Sequence, residues 1–101
     1  LQYTGGTTGV AKGAMLTHGN LLANHDQAYA MGRALIHEGK EVVLTALPLY
    51  HIFAFTFNLM CFFTAGARNV LSPNPRPIGN LQRAFDNYPI TWMSGVNTLY
   101  N

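Results

Sequence analysis

The sequence predicts an α/β fold in which alternating βαβ units surround a mainly parallel sheet. Three observations predict it. Short β-branched runs, EVVLTAL at 41–47 above all, alternate with longer helix-like stretches. The connections between the runs are long enough for the crossovers that parallel strands require. Charged residues make up only 10% of the chain against 49% apolar, where a soluble domain averages about 25% charged. Elements so poor in charge are expected to face protein on most sides, as a slice of a larger core does.

Taken in order, residues 1–4 are apolar and aromatic and read as a strand. Residues 5–12 hold three of the ten glycines and form a loop. Residues 13–16 read as a strand returning from it. Thr17 offers a hydroxyl to the first turn of a helix over 18–36. In that helix Leu21, Ala28 and Leu35 recur every seven residues beside Leu22, Tyr29 and Ile36, which predicts one apolar stripe. Gly32 within it costs ~1 kcal/mol relative to alanine, so the helix depends on packing. A polar turn at 37–40 leads to the strand at 41–47, which Pro48 ends. A connection over 49–53 precedes a second helix at 54–64, closed by Gly66 in a left-handed cap. Residues 68–71 form a strand, the proline-rich 72–77 a loop, and 78–87 a helix with Leu81 and Phe85 four apart. Residues 90–93 are the last strand, and a helix opens at 97.

Composition excludes several function classes. The net charge is +2 from 6 basic and 4 acidic residues, with no basic run to suit a nucleic acid. Cys61 is the single cysteine and lies in an apolar run, which excludes an internal disulfide framework or cysteine metal site and suits a reduced, cytosolic thiol. No secretory pattern opens the sequence. The apolar stretch 52–67 is interrupted by Thr56, Asn58 and Thr64 and falls short of the ~20 residues of a spanning helix, so it reads as a buried core helix. His18, His25 and His37 form no metal set and read as surface or helix-end residues. Asp26, Glu38, Glu41 and Asp86 show no paired-carboxylate pattern.

Residues 3–13, YTGGTTGVAKG, carry the chemistry. Gly5, Gly6 and Gly9 let the backbone turn tightly, so that successive amides form a concave anion site. Thr4, Thr7 and Thr8 add hydroxyl donors, and a hydroxyl oxygen also ligates Mg²⁺. Lys12 adds a cation suited to phosphate. The set suits a triphosphate; the bland alternative is a flexible Gly/Thr hairpin with a solvated lysine. It is not a Walker loop, because Lys12 is followed by Gly13 and a strand-like segment, and no dinucleotide fingerprint is present.

TGGTTGVAKG resembles the phosphate-binding loop of the adenylate-forming (AMP-binding) superfamily, usually Ser/Thr-Ser/Thr/Gly-Gly-Thr/Ser-Thr-Gly-x-Pro-Lys-Gly. The longer LQYTGGTTGVAKGAMLTHGN is similar to bacterial long-chain fatty acid–CoA ligases. Ala11 stands where most members have proline and Gly5 where many have serine; neither departure removes a phosphate ligand. A second stretch, LPLYHIFAF at 47–55, resembles the family's next core motif, Leu-Pro-x-x-His. Taken alone, His51 after an aromatic residue is more often a packed histidine than a catalytic one. The resemblance implies a positioning role for it at the junction of the acyl, adenylate and CoA channels, with Phe55 nearby. A third stretch, GVNTLY at 95–100, is by itself a strand-to-helix turn. It resembles the family segment at the wall of the acyl pocket, which implies that Gly95, Val96 and Asn97 line an acyl tunnel.

The resemblance implies a fragment of the large N-terminal adenylation domain, residues 1–101, incomplete at both ends. It implies ATP, Mg²⁺ and CoA as cofactors and co-substrates, and a fatty acid as the substrate. It assigns the β- and γ-phosphates to Thr4, Gly5, Gly6, Thr7, Thr8, Gly9 and Lys12, a Mg²⁺ contact to Thr7 or Thr8, and the reacting carboxylate to the surroundings of His51. The expected setting is the cytoplasm, with peripheral association at the inner face of the membrane. Aryl–CoA ligases and luciferases share much of the pattern, and a ligand-free structural βαβ piece is the non-enzyme alternative. The family's Tyr-Gly-x-Thr-Glu, Thr-Gly-Asp and C-terminal lysine do not occur in the 101 residues, so the chain alone is expected to be inactive, and to self-associate.

Overall fold

The computed structural model describes residues 1–4 and 9–100. A small antiparallel hairpin comes first. β1 (Gln2–Thr4) pairs with β2 (Lys12–Ala14), with Thr4 opposite Lys12 and Tyr3 opposite Gly13. α1 (His18–Gly32) follows. The expected N-cap at Thr17 is present as a full capping box. Thr17 Oγ1 accepts from the Asn20 amide, and the Thr17 amide donates to Asn20 Oδ1, each at 3.1 Å. Two otherwise orphaned donors are thereby satisfied, a contribution of roughly 1 kcal/mol. The helix stops at Gly32 rather than running to 36.

The main sheet has three parallel strands in the order β4–β3–β5, namely β3 (Val42–Thr45), β4 (Arg68–Leu71) and β5 (Trp92–Ser94). Between β3 and β4 runs α2, in which a π-wound stretch, Ala54–Cys61, continues into an α-helical turn, Phe62–Thr64. Between β4 and β5 runs α3 (Gly79–Asn87), and a short α4 (Asn97–Tyr100) follows β5. The path steps outward from β3 to β4 and then returns past β3 to β5. With crossovers of one hand, that reversal puts α2 and α3 on opposite faces of the sheet.

The side chains of β3 record this arrangement. Leu44 and Ala46 pack with Leu81 of α3, joined by Val70, Ala84, Ile90, Met93 and Leu99. Thr45, of the opposite parity, meets Asn58 of α2. Truncating Leu81, at 3% exposure, is expected to cost about 2–5 kcal/mol. The cap at Gly66 is as the sequence predicts, with φ +66° and an amide that donates to the Phe63 carbonyl.

Two expectations are corrected. The stripe predicted for α1 is buried on one side only: Leu21, Ala28 and Tyr29 are half-buried on the face that carries His25, whereas Leu22 is exposed and Leu35 lies beyond the helix end. The residue that α1 buries is His25, read from sequence as a surface histidine. Its Nε2 lies 2.9 Å from Thr64 Oγ1 at the end of α2, and its Nδ1 lies 2.9 Å from Asp26 Oδ1. Cys61 Sγ donates to the His25 carbonyl at 3.7 Å, so histidine and thiol together make the α1–α2 seam. Burial, with the Asp26 carboxylate second, raises the Cys61 thiol above its ordinary value, which keeps it protonated and inert.

Candidate functional site

The hairpin presents the described part of the glycine-rich loop. Thr4 and Lys12 face each other at the base of the turn, and Thr4 Oγ1 donates to the Lys12 carbonyl at 3.2 Å. Gly9 has φ +104°, a backbone that only glycine adopts without strain. Lys12 is exposed. Gly5, Gly6, Thr7 and Thr8, the other expected phosphate ligands and both expected metal ligands, lie outside the described residues.

The second motif lies against the first. Gln2 Nε2 donates to the Tyr50 carbonyl at 2.9 Å. A cleft of about 440 Å³ opens between the two, with Tyr3, Leu21, Leu49, Tyr50, Ile52 and Phe55 in its wall. Phe55 thus lines an apolar cavity beside the hairpin. His51 does not line it. Its ring is exposed, its Nδ1 accepts from the Phe53 amide at 3.3 Å, and its carbonyl accepts from the Phe55 amide at 3.0 Å. The main chain thus holds His51 at the entry of α2.

The third motif shares an edge with the second. In a parallel sheet all strands end on the same side, so the residues after β3 and after β5, its direct neighbour, leave from one edge. His51 and Phe55 follow the first strand, and Gly95, Val96 and Asn97 follow the second. The Tyr100 side chain and Leu99 Cδ2 close over Gly95, where a Cβ would come within 2.8 Å of the hydroxyl and 2.9 Å of the methyl and would push these side-chain ends aside. None of these three residues lines the hairpin cleft. A second apolar crevice of about 440 Å³ lies along the same edge between β3 and β4, walled by Ala46, Pro48, Tyr50, Leu71 and Pro75.

Sequence reasoning missed the polar residues behind this edge. Asn58 is fully buried, and Thr45 nearly so. With Asn69 and Ser94 they form a hydrogen-bonded group that joins α2 to all three strands. The one available signal was an asparagine and a threonine inside otherwise apolar runs. Among the described residues no cluster of histidine, cysteine or carboxylate is suited to a metal ion. The apolar cleft lies beside the hairpin whose strands carry Thr4 and Lys12.

The profile of a family described as "AMP-binding enzyme" matches residues 1–101. The chain is 60% identical over 101 residues to a long-chain-fatty-acid–CoA ligase of Salmonella typhimurium, covering 100% of this chain and 18% of that protein. It is 59% identical, with the same coverage, to one of Escherichia coli O6:H1. The chain therefore spans 18% of the length of these relatives. Among solved structures, o-succinylbenzoate CoA synthetase of Bacillus subtilis, in complex with an acyl-adenylate intermediate, superposes with a TM-score of 0.77 and 28% identity over 98% of this chain and 25% of its own.

Proposed function

The chain belongs to the AMP-binding enzyme family, and on that premise we propose that it forms the phosphate-binding and acyl-side part of a long-chain fatty acid–CoA ligase. The observation that carries the proposal is the 60% identity to such a ligase over all 101 residues. In the reaction a carboxylate oxygen of the fatty acid attacks the α-phosphorus of ATP, and pyrophosphate leaves. The CoA thiol then attacks the acyl carbon, and AMP leaves with the electron pair of the broken C–O bond. Transfer of this kind depends on positioning and on neutralising phosphate charge.

In this reading Thr4, Gly5, Gly6, Thr7, Thr8, Gly9 and Lys12 hold the β- and γ-phosphates. The pairing of Thr4 with Lys12 across the hairpin supports it, since it sets a hydroxyl and a cation on either side of the turn. Mg²⁺, when bound, neutralises phosphate charge. Thr7 or Thr8 would supply it a hydroxyl ligand. His51 and Phe55 position the reacting carboxylate, and Gly95, Val96 and Asn97 guide the acyl chain. The apolar cleft beside the hairpin supports an apolar acid as partner.

The reading includes a cytoplasmic setting, supported by the buried free thiol of Cys61, with the acid met at the inner face of the membrane. No helix among the described residues is long and apolar enough to cross a membrane. The test is the ligase containing this chain, given ATP, Mg²⁺, CoA and palmitate. Pyrophosphate release that depends on palmitate, followed by palmitoyl-CoA, is expected. Turnover of aryl acids with none of palmitate would overturn the fatty-acid reading.

A further inference from the structure

Where α2 meets the sheet, four polar side chains form a circuit to which the reaction above gives no task. Asn58, in the π-wound part of α2, is 0% exposed. Its Oδ1 accepts from Ser94 Oγ at 2.7 Å and its Nδ2 donates to Thr45 Oγ1 at 3.1 Å. Thr45 Oγ1 donates in turn to Asn69 Oδ1 at 2.6 Å, and Asn69 Nδ2 returns to the Asn58 carbonyl at 2.7 Å. Each hydroxyl proton has one acceptor, and both amides act in the sense their chemistry allows. No buried side-chain polar atom among the described residues is left unpartnered.

Such a network adds little net stability over apolar packing, because each group must first be stripped of water. What a fully satisfied network does provide is one arrangement of the elements it joins. Here the elements are the ends of two adjacent strands and the helix between the motifs. Ser94 immediately precedes Gly95, and Thr45 lies just before the segment that carries His51. On the helix, Asn58 follows Phe55 by one turn, and the Phe55 amide bonds the His51 carbonyl. The π-winding that carries Asn58 is a rare local geometry that recurs at functional sites.

We propose that Asn58 is a positioning residue that fixes the separation between the His51–Phe55 segment and the Gly95–Asn97 turn, and so sets the fit of the carboxylic acid between them. The proposal rests on the acyl-side reading above. It predicts an effect on the acid rather than on ATP, because the four side chains of the circuit come from α2 and the parallel sheet and none belongs to the hairpin of Thr4 and Lys12.

The test uses the ligase containing this chain and whichever carboxylic acid the unmutated enzyme turns over best. Ser94→Ala leaves a buried acceptor unpaired and is expected to raise KM for the acid about tenfold while changing KM for ATP less than about twofold. Ser94→Thr keeps the hydroxyl and is expected to restore KM for the acid. Asn58→Leu is expected to match or exceed Ser94→Ala; if it does not fold, the Ser94 pair decides. Equal changes in both KM values, or none, in a folded Ser94→Ala enzyme would overturn the proposal. If the preferred acid is aromatic, the fatty-acid reading falls while the KM split is still measured with that acid, so the two failures are distinguishable.

Discussion

The Gln2 side-chain amide donates to the Tyr50 carbonyl at 2.9 Å, a bond between residues 48 apart in sequence. Among the described residues it is the side-chain hydrogen bond that ties the hairpin to the segment carrying His51. In the ligase containing this chain, Gln2→Ala is expected to raise KM for ATP a few-fold, consistent with loss of about 1 kcal/mol from one partly exposed hydrogen bond. Steady-state kinetics with ATP varied will check this. A KM unchanged within error would show that the hairpin is held by its apolar contacts alone.

In the proposed reaction Lys12→Ala is expected to separate the two half-reactions. Pyrophosphate leaves after adenylation, so a side chain that binds its phosphates has no ligand during thioester formation. Adenylation is expected to slow by at least about a hundredfold, the loss of a charge-assisted contact made in the transition state. Transfer from preformed acyl-adenylate to CoA should stay near wild type. Single-turnover measurement of each step will tell; equal slowing of both, with the fold intact, would remove Lys12 from the pyrophosphate site.

Glu41 gives the fold an acid-sensitive joint. It is buried at the start of β3 and accepts from the Thr91 hydroxyl, from the His37 amide at 2.6 Å and from His37 Nδ1 at 3.1 Å. The Thr91 bond first, then the His37 amide, hold its carboxyl below the ordinary value of 4.5, against an opposing desolvation effect. The unfolded chain therefore takes up this proton first. The stabilisation is fully present above 4.5 and is lost as pH falls through the lower folded value. Glu41→Gln should be less stable than wild type near neutral pH, and the gap should close in acid. Urea unfolding of both proteins at about pH 7 and about pH 3 will read it; a gap independent of pH would show that the carboxylate's charge contributes nothing.

Residues 1–101 expressed alone are expected to associate and to form no acyl-adenylate. Phe63 is 80% exposed at the end of α2, and Phe53, Leu22 and Leu35 are exposed as well. β4 and β5 are both sheet edges, and edges offer unpaired amides and carbonyls to another chain. Sedimentation at micromolar concentration will show the association. A concentration-independent monomer, or pyrophosphate release from ATP and palmitate by the purified chain, would contradict these expectations in turn.

Much of the architecture was legible in the sequence because local rules govern it. A β-branched run bounded by a polar turn and Pro48 marks β3; Thr17 and Gly66 mark helix ends through their own hydrogen-bonding and conformational chemistry. The positive φ of Gly9 is of the same kind, a local conformation that glycine's missing side chain permits.

Which faces are buried was decided by the tertiary structure. In α2 hydrophobicity is nearly uniform around the helix, so no moment distinguishes Phe62, which is buried, from Phe63, which is exposed. The stripe on α1 set Leu22 on a par with Leu21, Ala28 and Tyr29, yet only the latter three share the buried side with His25, where the Thr64 hydroxyl supplies the partner that makes a buried imidazole tolerable. Asn58 is the clearest case. A polar residue in an apolar helix looks like an interruption until Thr45, Asn69 and Ser94 arrive from three strands to satisfy it. Sequence by itself determined the order of elements and the helix ends, because both rest on residues near each other in the chain. The structure alone decided which polar groups go inside, because their hydrogen-bond partners come from distant segments that only folding brings together.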